Sequence, residues 1–295
     1  CANDRDGFAV EETADGYWVR EAGEPVLFYQ RAMKSQEDKF ARANYVHPLY
    51  DLDGRVMTED FPADHRHHRG IFWAWHQVLV GDRHAGDAWV ARRFHWDVRD
   101  VVLWSHGDGS LAIHSRVDWT STDIDDRPIA TERVEIRIYP AQPNSRAVDF
   151  RIELLARRDG VKIGGSENSK GYGGFSTRIR LPADLRFVGE TGELTPRTNA
   201  VAGGGWVDMS ATFGPGSAKS GMTIICHSQS AGYPQPWLLR QRGSMQNPAY
   251  PGREPVALSE TKPLLLRYRL VLHRGDGDRA TISRWAKDYQ GKDDP

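Results

Sequence analysis

Between residues 134 and 154 the chain alternates with a period of two, and this alternation limits the fold more than any other feature. Val134, Ile136 and Ile138 interleave with Glu135 and Arg137; beyond a turn at 140–145, Val148, Phe150, Ile152 and Leu154 interleave with Asp149, Arg151 and Glu153. Successive side chains of a strand point to opposite faces, so each segment presents one apolar and one charged surface. Antiparallel strands satisfy both, with one face on a core and the other in water.

The signature recurs along the chain. Residues 94–104, the turn His106-Gly107-Asp108-Gly109 and residues 111–119 read as strand, tight turn, strand. Residues 16–29 form a hairpin divided at Gly23-Glu24-Pro25. Residues 222–227 are an apolar strand, and Leu264, Leu266, Tyr268, Leu270 and Leu272 make one face of a last long strand. Helical spacing is convincing only at 278–290, where Ile282, Trp285, Ala286 and Tyr289 follow Asp278, an N-cap candidate. The expected fold is all-β, an antiparallel β-sandwich or supersandwich with a short C-terminal helix. No composition break divides it, so residues 1–295 are expected to form a single domain with 1–15 as a flexible lead-in.

Charge excludes some partners. Lys plus Arg is 39 and Asp plus Glu is 40, a net charge of −1 that creates no field for nucleic acid or anionic lipid. The longest apolar run, 71–80, is too short to span a bilayer and is broken by His76 and Gln77. Two cysteines, Cys1 and Cys226, make neither a disulfide framework nor a Cys-rich zinc site. Cys1, followed by a polar lead-in, reads as the lipid-bearing residue of a bacterial lipoprotein. That reading puts the protein in the cell envelope, periplasmic or outer-membrane, touching membrane only through the lipid.

Chemistry concentrates in residues 58–80. His65, His67 and His68 stand with Arg66, Arg69, Glu59, Asp60 and Asp64 just ahead of large apolar residues. Imidazoles against an aromatic wall lose hydration and shift in pKa, which is costly unless the cluster is a site. In an extended chain His65 and His67 point the same way and could share one divalent metal ion, with His76, His227 or a carboxylate completing the set. Metal-free acid/base catalysis and a purely structural role fit the spacing equally. Arg69 suits a developing negative charge, Glu59 or Asp64 suits orienting an imidazole or acting as a base, and Tyr172 offers a phenol. Trp73, Trp75 and Trp237 are candidates for stacking on a sugar ring, with Asn168, Lys170, Arg178 and His227 for its hydroxyls. The Gly-rich stretch 164–174 lacks the strand-then-helix context of a phosphate loop, and no Gly-x-Ser-x-Gly elbow occurs.

Through HPLYDLDGRVMTEDFPADHRHHRGIFWAW, KGYGGFSTRI, GYPQPW and LRYRLVLHRG, the chain resembles the PmoA-like domain family of unknown function, labelled methane oxygenase, over about residues 46–275. Members of that family are bacterial and often secreted or lipid-anchored. The expected architecture also resembles the galactose-mutarotase-like supersandwich, where a histidine and a glutamate act as acid and base on a sugar ring; no epimerase motif aligns here residue by residue. Taken together, these readings imply a carbohydrate-active enzyme acting on an oligosaccharide or glycoside by histidine-based hydrolysis or elimination. A non-catalytic glycan-binding lipoprotein and a metal-dependent redox enzyme are the alternatives.

Overall fold

The computed structural model describes residues 7–291 with the exception of Ser217. Cys1, the expected lipid site, lies outside the described residues. Two antiparallel sheets form a β-sandwich. The larger has nine strands, in the order Phe94–Ser105, Leu111–Ser121, Asp125–Ile138, Ser145–Ala156, Leu264–Arg274, Ser220–Cys226, Trp206–Ala211, Arg186–Gly189 and Gly192–Glu193. The smaller has six: Phe8–Glu12, Gly16–Glu21, Glu24–Gln30, Tyr45–Leu49, Ile71–Ala74 and Gly174–Thr177. Phe8–Glu12 pairs along its whole length with Gly16–Glu21, so the expected lead-in is in part an edge strand.

The alternating segments pair as their pattern requires. Val134 faces Ile152 and Ile136 faces Phe150 on the buried side, while Arg133 faces Glu153, Glu135 faces Arg151 and Arg137 faces Asp149 on the outer side. Opposite charges directly across a ladder favour this register over a one-residue slip, which would also turn the apolar face outward. Inside, rings from the two sheets interlock: Trp73 and Phe175 from the smaller meet Phe150 and Tyr268 from the larger, with centroids 6.2 Å apart for Trp73–Phe150 and 4.3 Å for Phe175–Tyr268. Each such side chain contributes about 1.5–3 kcal/mol on burial.

One charged group crosses this core. Glu132, fully buried on the larger sheet, accepts hydrogen bonds from Trp73 Nε1 (2.5 Å), Asn44 Nδ2 (2.7 Å) and Trp119 Nε1 (2.8 Å). Tyr29 Oη donates to Asn44 Oδ1 at 2.8 Å, extending the network into the smaller sheet. Burial pushes the Glu132 carboxyl up to about 7 against the pull of its three donors.

The helix Arg279–Gln290 follows its expected cap, with Thr281 N donating to Asp278 Oδ2 at 2.9 Å. Its Ile282 and Tyr289 cover Trp206, Ile225 and Val271 on the outer face of the larger sheet. Among the described residues no helix is long and apolar enough to cross a membrane. A four-stranded sheet, Val256–Ala257, Val161–Gly164, Gln77–Val80 and Arg83–His84, stands beside the sandwich and carries the loops described next.

Candidate active site

Residues 62–68 form turns rather than the extended chain on which the histidine spacing suggests a shared metal. His65 N donates to Pro62 O at 3.1 Å and His68 N to His65 O at 2.8 Å. A turn brings residues three apart together, so the His65 and His68 rings stack at 4.7 Å with 2° between planes, and His67 stands edge-on to His68 at 4.6 Å. The three imidazoles therefore pack on one another instead of converging lone pairs on one point. His65 Nδ1 is engaged by Asp64 Oδ2 at 3.0 Å, and among the described residues no three His, Cys, Asp or Glu side chains are arranged to hold a metal ion. The His65–His67 metal pair expected from spacing does not fit this geometry.

Depth separates the three. His65 has 40% of its side chain exposed, whereas His68 is buried against Phe72 and Trp89, its Nδ1 without a hydrogen-bond partner. Burial, then the charges of His65 and Arg42, pushes the His67 imidazole down to about 3; burial and its histidine neighbours also hold His68 far below the usual range. Both are neutral imidazoles at pH 7, unable to act as stored acids.

The neighbouring arginines are structural. Arg69, fully buried, donates to the carbonyls of Arg66 (2.8 Å), His68 (2.9 Å) and Phe40, and lies 3.6 Å over the Phe61 ring. Its Nε lies 3.3 Å from Asp60 Oδ1, an ion pair without hydrogen-bond geometry, so the guanidinium is held inside the protein, against the charge-stabilising role expected of it. Arg178 clamps Asp64 through both oxygens (2.7 and 3.0 Å), Glu59 Oε2 at 2.8 Å and Ser244 O at 2.5 Å, with only 5% of its side chain exposed. Burial works against ionising Asp64, but hydrogen bonds from His65, Arg178 and Ser244 N outweigh it and keep the carboxylate charged. Arg178, Glu59 and Asp64 thus fasten the histidine turn to the 244 loop, which removes Arg178 from the hydroxyl-binding set and Glu59 from the free bases.

The tryptophans expected to stack on sugar are core residues. Trp73, Trp75 and Trp237 are at most 2% exposed, and each indole N–H is satisfied internally, by Glu132, Tyr250 O and Gly204 O. His227 is buried against Tyr289 of the C-terminal helix. Their burial leaves no face for a ligand. Asn168 spends its Oδ1 on Lys170 N (2.9 Å) and Ser166 Oγ (3.0 Å), shaping the glycine-rich loop, and Lys170 follows it on that loop.

What the turn does reach is a second cluster. His68 meets Trp89 edge-on at 5.7 Å; Trp89 stacks on His76 at 5.6 Å; Tyr172 closes on both, 5.0 Å from Trp89 and 5.1 Å from His76. His76 Nδ1 lies 3.0 Å from Asp87 Oδ2, while Asp87 Oδ1 accepts from the backbone N–H of Trp89 (2.9 Å) and Val90 (3.1 Å). Burial raises the Asp87 pKa, but the hydrogen bond from His76 and those two amides more than reverse the shift. An ionised carboxylate only accepts, so Nδ1 of His76 carries a proton, and the tautomer this selects for the neutral ring has its lone pair on Nε2. Nε2 is buried and has no hydrogen-bond partner. Burial, with the nearby Asp87 charge, raises the Tyr172 phenol and keeps it protonated.

The loop carrying Asp87 and Trp89 packs into the protein. Ala85, Ala88 and Trp89 are buried, and Arg42 holds the loop by donating to Ala88 O (2.5 Å) and Trp89 O (3.1 Å). Arg42 is itself buried between Trp96 and Phe72, where desolvation, then the charge of Arg69, pushes its pKa down to about 9. His76, Asp87 and Tyr172 line a polar cleft of about 480 Å³, joined by Asn168, Glu167 and Arg92. The His76–Asp87 pair escapes sequence reasoning because eleven positions separate its members; the break that His76 and Gln77 make in the apolar run 71–80 was the one available cue.

These features together describe an all-β sandwich protein with a histidine–aspartate pair and a phenol on a polar cleft. The model of a family of unknown function (DUF6807) matches residues 18–287, and the chain belongs to that family. No curated protein matches the chain.

Proposed function

We propose that this protein is a carbohydrate-active enzyme that cleaves an oligosaccharide by proton transfer in the cleft of His76, Asp87 and Tyr172. The observation carrying this reading is the His76–Asp87 hydrogen bond of 3.0 Å beside a protonated phenol. A carboxylate that fixes the tautomer of an imidazole prepares its other nitrogen as a general base. His76 Nε2 removes a proton from the substrate or from an attacking water, and Tyr172 delivers one to the departing glycosidic oxygen. Asp87 steadies the imidazolium that forms. His67, joined to the cluster through His68 and Trp89, offers a neutral imidazole to sugar hydroxyls. Elimination and hydrolysis both use this pair: His76 takes a ring-carbon proton as a C=C bond forms, or a water proton as a new C–O bond forms, and in both the glycosidic C–O bond breaks and its oxygen takes the Tyr172 proton.

A non-catalytic glycan receptor is the second reading, favoured by the burial of His76 Nε2, which must be uncovered before a proton can reach it. His76→Ala and Tyr172→Phe distinguish the two. For an enzyme, each variant loses at least about 100-fold in turnover while glycan affinity stays within a few-fold of wild type. Undiminished turnover in both variants refutes the proposed site, and glycan binding without turnover by the wild-type protein assigns the receptor.

A further inference from the structure

Beyond the loop 87–93 lies a second, larger depression of about 740 Å³, between the ribbon Lys34–Gln36/Lys39–Arg42 and the turn joining Leu111–Ser121 to Asp125–Ile138. Arg92 and Arg93 belong to the walls of both this groove and the polar cleft, so the two spaces share a border. The groove's sides differ in chemistry. Met33, Phe40, Val90 and Phe94 supply apolar surface, whereas Thr120, Thr122 and Asp126 supply hydroxyl and carboxylate groups.

Its walls are also strained. Of the nine non-glycine residues with positive φ among those described, four line this groove: Asp38 (57°), which with Glu37 makes the two-residue turn of the ribbon, and Phe40 (56°), Ala91 (53°) and Arg93 (55°), which lie outside that turn. A side chain in the left-handed region persists only where the surroundings over-determine it, and such residues cluster at ligand clamps. Two buried arginines do the holding. Arg69 takes Phe40 O, and Arg42 takes the carbonyls of Ala88 and Trp89, two to three residues before Ala91. The Phe40 ring lies 6.3 Å from that of His67, which links the groove to the histidine turn.

We infer that this groove is a run of additional sugar subsites continuous with the cleft, so that the substrate is a chain of several sugar residues. The inference rests on the reading of the cleft as a glycan site. A pyranose has an apolar C–H face and a polar rim of hydroxyls, and a groove with an apolar side facing hydroxyl and carboxylate groups matches both. Either space alone is the size of a site for a drug-sized ligand. Joined end to end across the shared arginine border they are larger than one or two sugars need.

Defined oligosaccharides of two, four and six residues test the inference, taken from the β-1,4-gluco, xylo and manno series and from oligogalacturonates, with affinities measured by calorimetry. In at least one series, affinity rises about ten-fold or more from two residues to six. Phe40→Ala removes at least about five-fold of that gain, and so does His95→Ala, in which a solvent-exposed groove side chain is removed without touching the core. No binding in any series, affinity independent of length, or an undiminished gain in both variants overturns the inference. Failure of the catalytic reading looks different: the length-dependent gain persists, but the six-residue chain is not turned over, or is turned over equally by His76→Ala.

Discussion

Replacing Glu132 by glutamine tests the charge buried between the sheets. Three N–H groups aim at this carboxyl, two at Oε1 and one at Oε2. An amide has one acceptor oxygen, so at least one donor is orphaned, and the orientation that loses least leaves only Trp119 Nε1 unpaired. An unsatisfied buried donor costs about 1–3 kcal/mol. The substitution also abolishes a titration. The folded-state pKa, about 7 against 4.5 in the unfolded chain, makes the native state the better proton binder between those values. The contribution is present in full below pH 4.5 and is lost as pH rises through 7, by about 3 kcal/mol for a shift of this size. The amide, which does not titrate, has no such slope. Urea denaturation followed by tryptophan fluorescence at pH 5 and pH 8 is therefore expected to show Glu132→Gln clearly less stable than wild type at pH 5, with the gap closing or reversing at pH 8. A difference that stays constant across this range refutes the buried titration, and a fully neutral substitution refutes the three-donor network.

Three further outcomes follow from the same contacts. Arg178→Met leaves Glu59 and Asp64 facing each other without their cation and costs about 3 kcal/mol, the low end for a broken buried pair because both carboxylates are partly exposed; chemical denaturation measures it, and a loss below about 1 kcal/mol contradicts the clamp. Asp278→Ala removes the N-cap of the C-terminal helix and destabilises its first turn, with amide exchange accelerating first in Arg279–Gln290. His67, held near 3 when folded against 6.5 when unfolded, makes the unfolded chain the better proton binder between those values. Its contribution is complete above pH 6.5 and falls as pH drops, by about 2 kcal/mol at pH 5. His67→Asn flattens that part of the acid-denaturation profile, and an unchanged profile sinks the assignment.

Local pattern was enough to dictate the β architecture, because a period of two with charges on one face can be satisfied only by strands with one buried side. The same pattern set the cap at Asp278 and the opposed charges of Glu135 with Arg151. It also marked the histidine turn as chemically unusual. Which groups meet was left to the packing of the folded chain. His65, His67 and His68 looked like a site by proximity in the chain, but the turn at 62–68 stacks their rings, and Arg69 and Arg178 spend their hydrogens on carbonyls and carboxylates. Trp73, Trp75 and Trp237 looked like sugar platforms by type, yet whether an indole faces solvent depends on what the opposite sheet brings against it. His76, Asp87 and Tyr172 converge from three loops, and Glu132, Trp73 and Asn44 from two sheets. No periodicity encodes such meetings, since they are set by how sheets and loops stack in space and not by spacing along the chain.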